Sequence, residues 1–144
     1  KHWIHGQWSE EQLNTARRGQ STHLSMPYLE LLALVLSAAT WGHLWRGKRI
    51  TFRSDCLPVV QALETRTSAQ PRSMELIRSL QLLAARDGFD FRCTHIAGVD
   101  NVSADALSRD DLAKFRAVAS NVDTDLKATP TGVIPRSAEW VPRH

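Results

Sequence analysis

Apolar residues recur in two long helical patterns along the chain. From Tyr28 to Trp45 the residues are apolar nearly all round the predicted helix, with Ser25 as N-cap and Pro27 in the first turn. A helix without a wide polar face must be covered on more than one side, so we expect it at the centre of a layered fold. A second helix follows Ser73 and stops at Gly88. Its apolar stripe consists of Met74, Ile77, Leu80 and either Leu83 or Ala84.

Two shorter segments alternate between apolar and polar positions, which is the period of a β-strand. They are Arg49–Ser54, after the first long helix, and Phe89–His95, after the second. A short helix is predicted over Leu57–Leu63, a loop over Ile96–Asn101 and a turn of helix over Val102–Ser108. Because helices and strands alternate along the chain, we expect a layered α/β domain.

The two ends of the chain are less regular. Lys1–Ser9 interleaves tryptophan and isoleucine with polar residues and predicts a strand, whereas Glu10–Leu24 is polar and predicts a loop or short helix. A further helix is predicted over 111–119, and the segment 120–144 has no periodicity. We therefore expect one domain over residues 1–110, then a C-terminal helix, then a linker or disordered tail.

Composition and charge restrict the function classes only loosely. The 144 residues are 42% hydrophobic and 23% charged, which is ordinary for a soluble globular domain. A net charge of +3 is compatible with a polyanionic partner but does not require one. Cys56 and Cys93 lack the spacing of a zinc site, and the longest apolar run, Leu31–Ala39, is too short to cross a bilayer. We expect a cytoplasmic or nuclear protein with no membrane partner.

Three acidic residues stand where catalytic carboxylates are common. Glu30 is the only charged residue between Met26 and Trp45, and a buried carboxylate needs a partner, although the nearby helix N-terminus also favours a negative charge. Asp55 follows a predicted strand, at the end where α/β sheets collect their sites, but it could equally cap the next helix. Asp105 lies in NVSADALSR, where an exposed first-turn acid is also common.

The three acids and His95 together indicate metal-dependent cleavage of phosphodiesters. Mg²⁺ prefers carboxylate oxygens, and two ions about 4 Å apart can stabilise the attacking and leaving oxygens. His95 ends a strand beside a loop that contains Gly98 and Asn101, and it is either a proton carrier there or an ordinary surface residue. The candidates for phosphate contacts are Arg46, Lys48, Arg49, Arg72 and Arg78, although for any one of them alone a solvated surface is the favoured interpretation.

Three segments resemble the ribonuclease H domain of retroelement reverse transcriptases, most closely retrotransposon versions, both gypsy-like and tyrosine-recombinase-encoding. These segments are YLELLAL around Glu30, ITFRSDCLPVVQAL around Asp55, and HIAGVDNVSADALSR, which contains His95 and Asp105. GQWSEEQ resembles the region before the first helix of that family. The resemblance covers roughly residues 6–109, and the third segment is its most specific part.

The resemblance implies a ribonuclease H-like three-layer fold with a mixed five-stranded sheet flanked by helices. It implies that Glu30, Asp55 and Asp105 bind two Mg²⁺ ions, for which Mn²⁺ can substitute, and that His95 aids turnover. The implied activity is endonucleolytic hydrolysis of the RNA strand of RNA–DNA hybrids during reverse transcription. The implied partners are the hybrid, an upstream polymerase domain and a downstream recombinase or integrase domain.

One part of the family pattern has no counterpart in this sequence. The active site of the family has four carboxylates, and the first comes from a glycine-rich N-terminal strand, whereas Asp55 is the first aspartate here. We therefore expect an N-terminally truncated or degenerate copy that lacks the central strand and has weak activity at best. The alternative is a catalytically inactive ribonuclease H-like domain that binds nucleic acid or supports a neighbouring polymerase or recombinase. A transposase or integrase nuclease is less favoured, because His95 would have no role in it.

Overall fold

The computed structural model describes residues 6–7, 10, 14, 18, 25–109, 111–118 and 141–142, and these form a mixed α/β structure. The first elements are strand β1 (Gly6–Gln7), helix α1 (Met26–Trp41), strand β2 (Arg49–Ser54), helix α2 (Leu57–Thr65) and helix α3 (Pro71–Asp87). They are followed by strand β3 (Asp90–His95), helix α4 (Val102–Ser108), helix α5 (Leu112–Val118) and strand β4 (Val141–Pro142). Both long helices and both predicted inner strands are confirmed.

The central sheet of the described residues consists of β2 and β3, which are parallel, with Phe52 opposite Cys93. Phe52, Phe91 and Cys93 are buried in one core together with residues of α1, α2 and α3, so these helices cover one face. Strands β1 and β4 form a separate antiparallel pair. Within the described residues the sheet has two strands and one helical layer, so the expected three layers and five strands are not seen there.

Helix α1 begins as predicted, since the Ser25 hydroxyl accepts a hydrogen bond from the Tyr28 amide at 3.3 Å. It ends at Trp41, four residues before the predicted end, and the chain continues as a short 3-10 helix over Gly42–Trp45. A Cβ atom at Gly42 would lie 2.6 Å from the Asp87 Oδ2 atom. Gly42 and Asp87 are thus close in space although they are far apart in sequence. A local hydrophobic pattern cannot reveal such an approach.

The two helices between β2 and β3 differ slightly from the predicted boundaries. Helix α3 begins at Pro71 rather than after Ser73, because proline fits the first turn of a helix, where its missing N–H costs nothing. Helix α2 ends at Thr65, and its C-cap Arg66 has a left-handed backbone with φ 57°. The Arg66 guanidinium lies 3.5 Å from the centre of the Phe91 ring and donates a hydrogen bond to the Phe91 carbonyl. It therefore covers part of β3, which is an edge strand of this sheet.

The main core lies between α1, α3 and the sheet. Leu32, Ile77 and Leu80 are at most 1% exposed, in agreement with the predicted stripe on α3. A separate apolar cluster joins Ala106 of α4 to Phe115 of α5. None of the helices in the described ranges is long and apolar enough to cross a membrane.

Candidate active site

The structure brings Glu30 and Asp55 together at the C-terminal end of β2. Glu30 is half-buried on the second turn of α1, whereas Asp55 is exposed directly after the strand. Burial raises the pKa of Glu30 above its ordinary value, and the nearby negative charge of Asp55 raises it further. Two carboxylates that are 25 positions apart in sequence therefore interact electrostatically in the folded chain.

Cys56 and Gly98 also lie close to this pair of carboxylates. Burial raises the pKa of the Cys56 thiol, and Glu30 and Asp55 add to this effect, while a backbone hydrogen bond involving Val59 opposes it. From the other strand, the loop after β3 reaches the site, because a Cβ atom at Gly98 would lie 3.7 Å from the Asp55 Oδ2 atom. The ends of both parallel strands thus contribute to one edge, where α/β sheets usually place ligands.

His95 lies at this edge as well. It is the last residue of β3, pairs in register with Ser54, and has an exposed side chain. The Ile96 amide donates a hydrogen bond of 3.1 Å to the Ser54 carbonyl, which extends the pairing past the end of the strand. Because Asp55 follows Ser54 directly, His95 lies on the neighbouring strand, next to the position of Asp55. An exposed imidazole in this position is accessible to substrate and to water.

Asp105 is placed differently from the other two acids. Its Oδ1 atom lies 2.8 Å from Nε of Arg109, one helical turn further along the chain. Within the described residues, no group of three or more histidine, cysteine or acidic side chains is arranged to hold a metal ion. The structure therefore brings together two members of the predicted metal set, Glu30 and Asp55, and pairs the third with a cation on its own helix.

The Glu30–Asp55 pair fits one divalent cation by its chemistry. Carboxylate oxygens are the ligands that Mg²⁺ prefers, and Mg²⁺ is commonly bound by one or two carboxylates while keeping several waters. A cation between the two groups would offset both the burial of Glu30 and the repulsion from Asp55. The pair alone does not supply enough ligands for the two ions that the family resemblance implies.

All five basic residues predicted to contact phosphate are exposed. Arg49 forms a surface ion pair with Asp90 at 3.3 Å, and the Lys48 Nζ atom donates to the Leu44 carbonyl at 3.1 Å. Three of the five lie at the start of β2, and the other two, Arg72 and Arg78, lie on α3. Arg53 and Arg92, which are not among these five, are also exposed and occupy outward positions of the alternating strand pattern.

Comparison of the chain with protein-family models, with curated proteins and with solved structures found no match. The geometry of the site and the residues that carry the resemblance are therefore the basis on which a function is proposed.

Replacing Glu30 with glutamine is expected to stabilise the metal-free protein at neutral pH. Because the folded-state pKa of Glu30 is raised, its contribution to stability is fully present below the unfolded pKa of about 4.3 and is lost as pH rises through the folded pKa. The neutral amide removes this loss, and we expect a gain within the range of about 0.5–2 kcal/mol that single stabilising substitutions commonly give. Urea unfolding in EDTA at pH 7 and pH 4 measures it. An equal or larger gain at pH 4 would contradict the assignment.

Proposed function

We propose that this chain is a nuclease domain of the ribonuclease H type in which Glu30 and Asp55 bind a divalent cation. The proposed reaction is hydrolysis of the RNA strand of an RNA–DNA hybrid. The observation that carries the proposal is the convergence of these two carboxylates, one half-buried on α1 and one exposed after β2. The resemblance of the surrounding segments to retroelement ribonuclease H domains supports the choice of substrate.

The residues at the site divide the chemistry between them. A bound Mg²⁺ ion, or Mn²⁺ in its place, supplies Lewis-acid stabilisation of negative charge on the phosphate oxygens. Glu30 holds its charge in a partly desolvated place, where its interaction with a cation is stronger than in water. Asp55 lies at the solvent side, within reach of an arriving substrate. Because the pKa of Glu30 is raised, protons compete with the cation and binding weakens as pH falls.

We extend the proposal to the complete sheet of the domain and to its partners. Within the described residues β2 has β3 on one side and no strand on the other, which leaves its outer edge available to a further strand. A ribonuclease H-like mixed sheet would place its first strand, with a further carboxylate, at that edge. The proposed partners are an RNA–DNA hybrid, an upstream polymerase domain and a downstream recombinase or integrase domain. The free thiols of Cys56 and Cys93 agree with a cytoplasmic or nuclear location.

A second candidate function is supported by the position of Asp105. Its ion pair with Arg109 and the lack of a three-ligand group among the described residues favour a catalytically inactive domain that binds nucleic acid or supports its neighbours. This domain would keep the fold and the basic surface but would bind no divalent cation at Glu30 and Asp55. Cation binding therefore separates the two functions.

Titration calorimetry with Mn²⁺ and Mg²⁺ tests the proposed site. We expect binding by the unmodified chain and a loss of affinity of at least about tenfold in Glu30→Gln, since one charged ligand is removed. The matched control is Glu75→Gln, which makes the same change at an exposed position on α3. Binding that is absent in the folded chain, or equally weakened by both changes, would favour the inactive domain.

Replacing His95 with alanine is expected to slow turnover more than it weakens substrate binding. The side chain is exposed at the sheet edge beside the carboxylates, where an imidazole can carry protons or assist product release. Loss of general acid–base assistance typically lowers the rate about 10²–10⁴-fold. Hybrid cleavage under multiple turnover, with hybrid affinity measured in EDTA, separates the two effects. An unchanged rate would return His95 to an ordinary surface role.

A further inference from the structure

The face of the β2–β3 sheet that points away from the helices is exposed and polar. Along β2, Phe52 and Ser54 point to the core and are buried, while the alternate residues Arg49, Thr51 and Arg53 are exposed. β3 follows the same alternation, with Phe91 and Cys93 buried. We call the outward residues the open face: Arg49, Thr51, Arg53, Asp90, Arg92 and Thr94.

An open face of this composition is unusual for a parallel sheet. Parallel strands are usually covered on both sides and consist of nearly continuous apolar residues. Here the open face contains no apolar side chain. A helix that packed on it with an apolar stripe would desolvate arginine side chains without giving them a partner, which is costly. The composition therefore favours a strongly polar partner over an apolar one.

The charge of the open face is positive. Its one acid, Asp90, is paired with Arg49 at 3.3 Å. No carboxylate of the open face offsets Arg53 or Arg92. The Nε atom of Arg92 lies 3.1 Å from the Thr51 hydroxyl, which holds this guanidinium above the strands. The open face thus presents two arginines whose charges suit a polyanion.

The register of the sheet sets the spacing of these charges. Arg92 is opposite Thr51, and Arg53 is opposite Thr94. The two arginines therefore occupy successive outward positions along the sheet, one on each strand. Outward residues of a strand follow each other at about 6.6 Å and neighbouring strands lie about 4.8 Å apart, so the backbones of the two arginines are about 8 Å from each other. Both side chains can therefore contact the same phosphate backbone. Arginine matches phosphate oxygens with two parallel hydrogen bonds, and threonine hydroxyls also contact backbones.

We propose that the open face binds the sugar–phosphate backbone of a nucleic-acid duplex through Arg53 and Arg92. Arg53 stands two residues before Asp55, so a backbone that follows the open face toward the C-terminal ends of the strands reaches the carboxylate pair. The inference goes beyond the proposed nuclease activity, because a domain without metal or catalysis would use the same surface. It also differs from the five basic residues nominated from the sequence, none of which is Arg53 or Arg92.

Fluorescence anisotropy with a labelled RNA–DNA hybrid in EDTA tests this inference, since EDTA removes cleavage from the measurement. The affinity is measured at several NaCl concentrations for the full chain and for Arg53→Gln with Arg92→Gln. We expect the affinity at low salt to fall about 10–100-fold, because two charge-assisted contacts are lost. The slope of log K against log[NaCl] should become shallower by about 1.4–1.8, which corresponds to two phosphate contacts.

A control with the same loss of two positive charges is Lys114→Gln with Arg116→Gln on α5, where both side chains are exposed. We expect the control to keep the slope of the unmodified chain. Arg53→Lys with Arg92→Lys should keep most of the slope, because the charges remain, and should show that the loss is not a folding defect.

Three results would overturn the inference. An unchanged slope in the glutamine variant would remove Arg53 and Arg92 from the interface. Equal losses in the glutamine variant and the α5 control would indicate net charge rather than a surface. Displacement of the hybrid by poly-glutamate as effectively as by DNA of equal charge would identify an acidic polypeptide as the partner. Failure of the nuclease alone leaves the anisotropy result unaffected, so the two proposals fail separately.

Discussion

Replacing Asp55 with asparagine is expected to abolish metal-dependent cleavage of an RNA–DNA hybrid while leaving the fold intact. Asp55 is exposed after β2, so the nearly isosteric amide costs little stability. It removes one of the two carboxylates that the site offers to a cation. Because a bound cation contributes several kcal/mol of transition-state stabilisation, we expect the single-turnover rate to fall at least about 100-fold.

A second readout of the same variant does not depend on activity. The charge of Asp55 is the smaller of the two causes that raise the pKa of Glu30, and burial is the larger. Asp55→Asn should therefore lower the pKa of Glu30 only partly toward its ordinary value, as measured by NMR titration of the Glu30 carboxyl carbon in EDTA. Glu75→Gln is the activity control. Full activity in Asp55→Asn, or a pKa of Glu30 that does not move, would remove Asp55 from the site.

Replacing Leu80 with alanine is expected to lower the free energy of unfolding by about 2–5 kcal/mol. Leu80 lies on α3 and is fully buried in the core that α1, α3 and the sheet share. The loss includes the transfer of the removed methyl groups and the cavity that stays behind. It is a large part of the roughly 5–15 kcal/mol that keeps a domain folded. Urea unfolding followed by circular dichroism measures the change.

Leu82→Ala is the matched control for Leu80→Ala, because it makes the same substitution two residues further on the same helix. The Leu82 side chain is 71% exposed, so we expect a change of less than about 0.5 kcal/mol. Similar losses in the two variants would contradict the orientation of α3, and with it the side of the sheet that the helices cover. The open face and the position of the carboxylate pair both depend on that orientation.

The sequence predicts the fold best where one element carries its own signal. The alternation in Arg49–Ser54 and the stripe on α3 identify a strand and a helix, and both are confirmed. The hydrophobic pattern does not predict the end of α1, where Gly42 lies close to Asp87, a residue distant in sequence. The pattern of outward residues on β2 and β3 is readable in the sequence, but its exposure depends on what covers the sheet.

The candidate site was likewise predictable only in part. A lone acid on an apolar helix and an acid after a strand predict Glu30 and Asp55, and the fold brings them together. The sequence pattern groups Asp105 with them, whereas the structure pairs it with Arg109 at a spacing of four residues. That spacing was visible in the sequence, because residues four apart on a helix are neighbours. A local partner therefore competes with the distant site for this carboxylate.

The most direct test of the central claim is single-turnover cleavage of a hybrid labelled on each strand, with the protein in excess and either Mn²⁺ or EDTA present. It compares this chain with Asp55→Asn and with the control Glu75→Gln. We predict weak, metal-dependent cleavage of the RNA strand only, equal in this chain and in Glu75→Gln and lost with Asp55→Asn. Intact RNA with the folded chain, in the presence of metal, would contradict the account and favour an inactive nucleic-acid-binding domain.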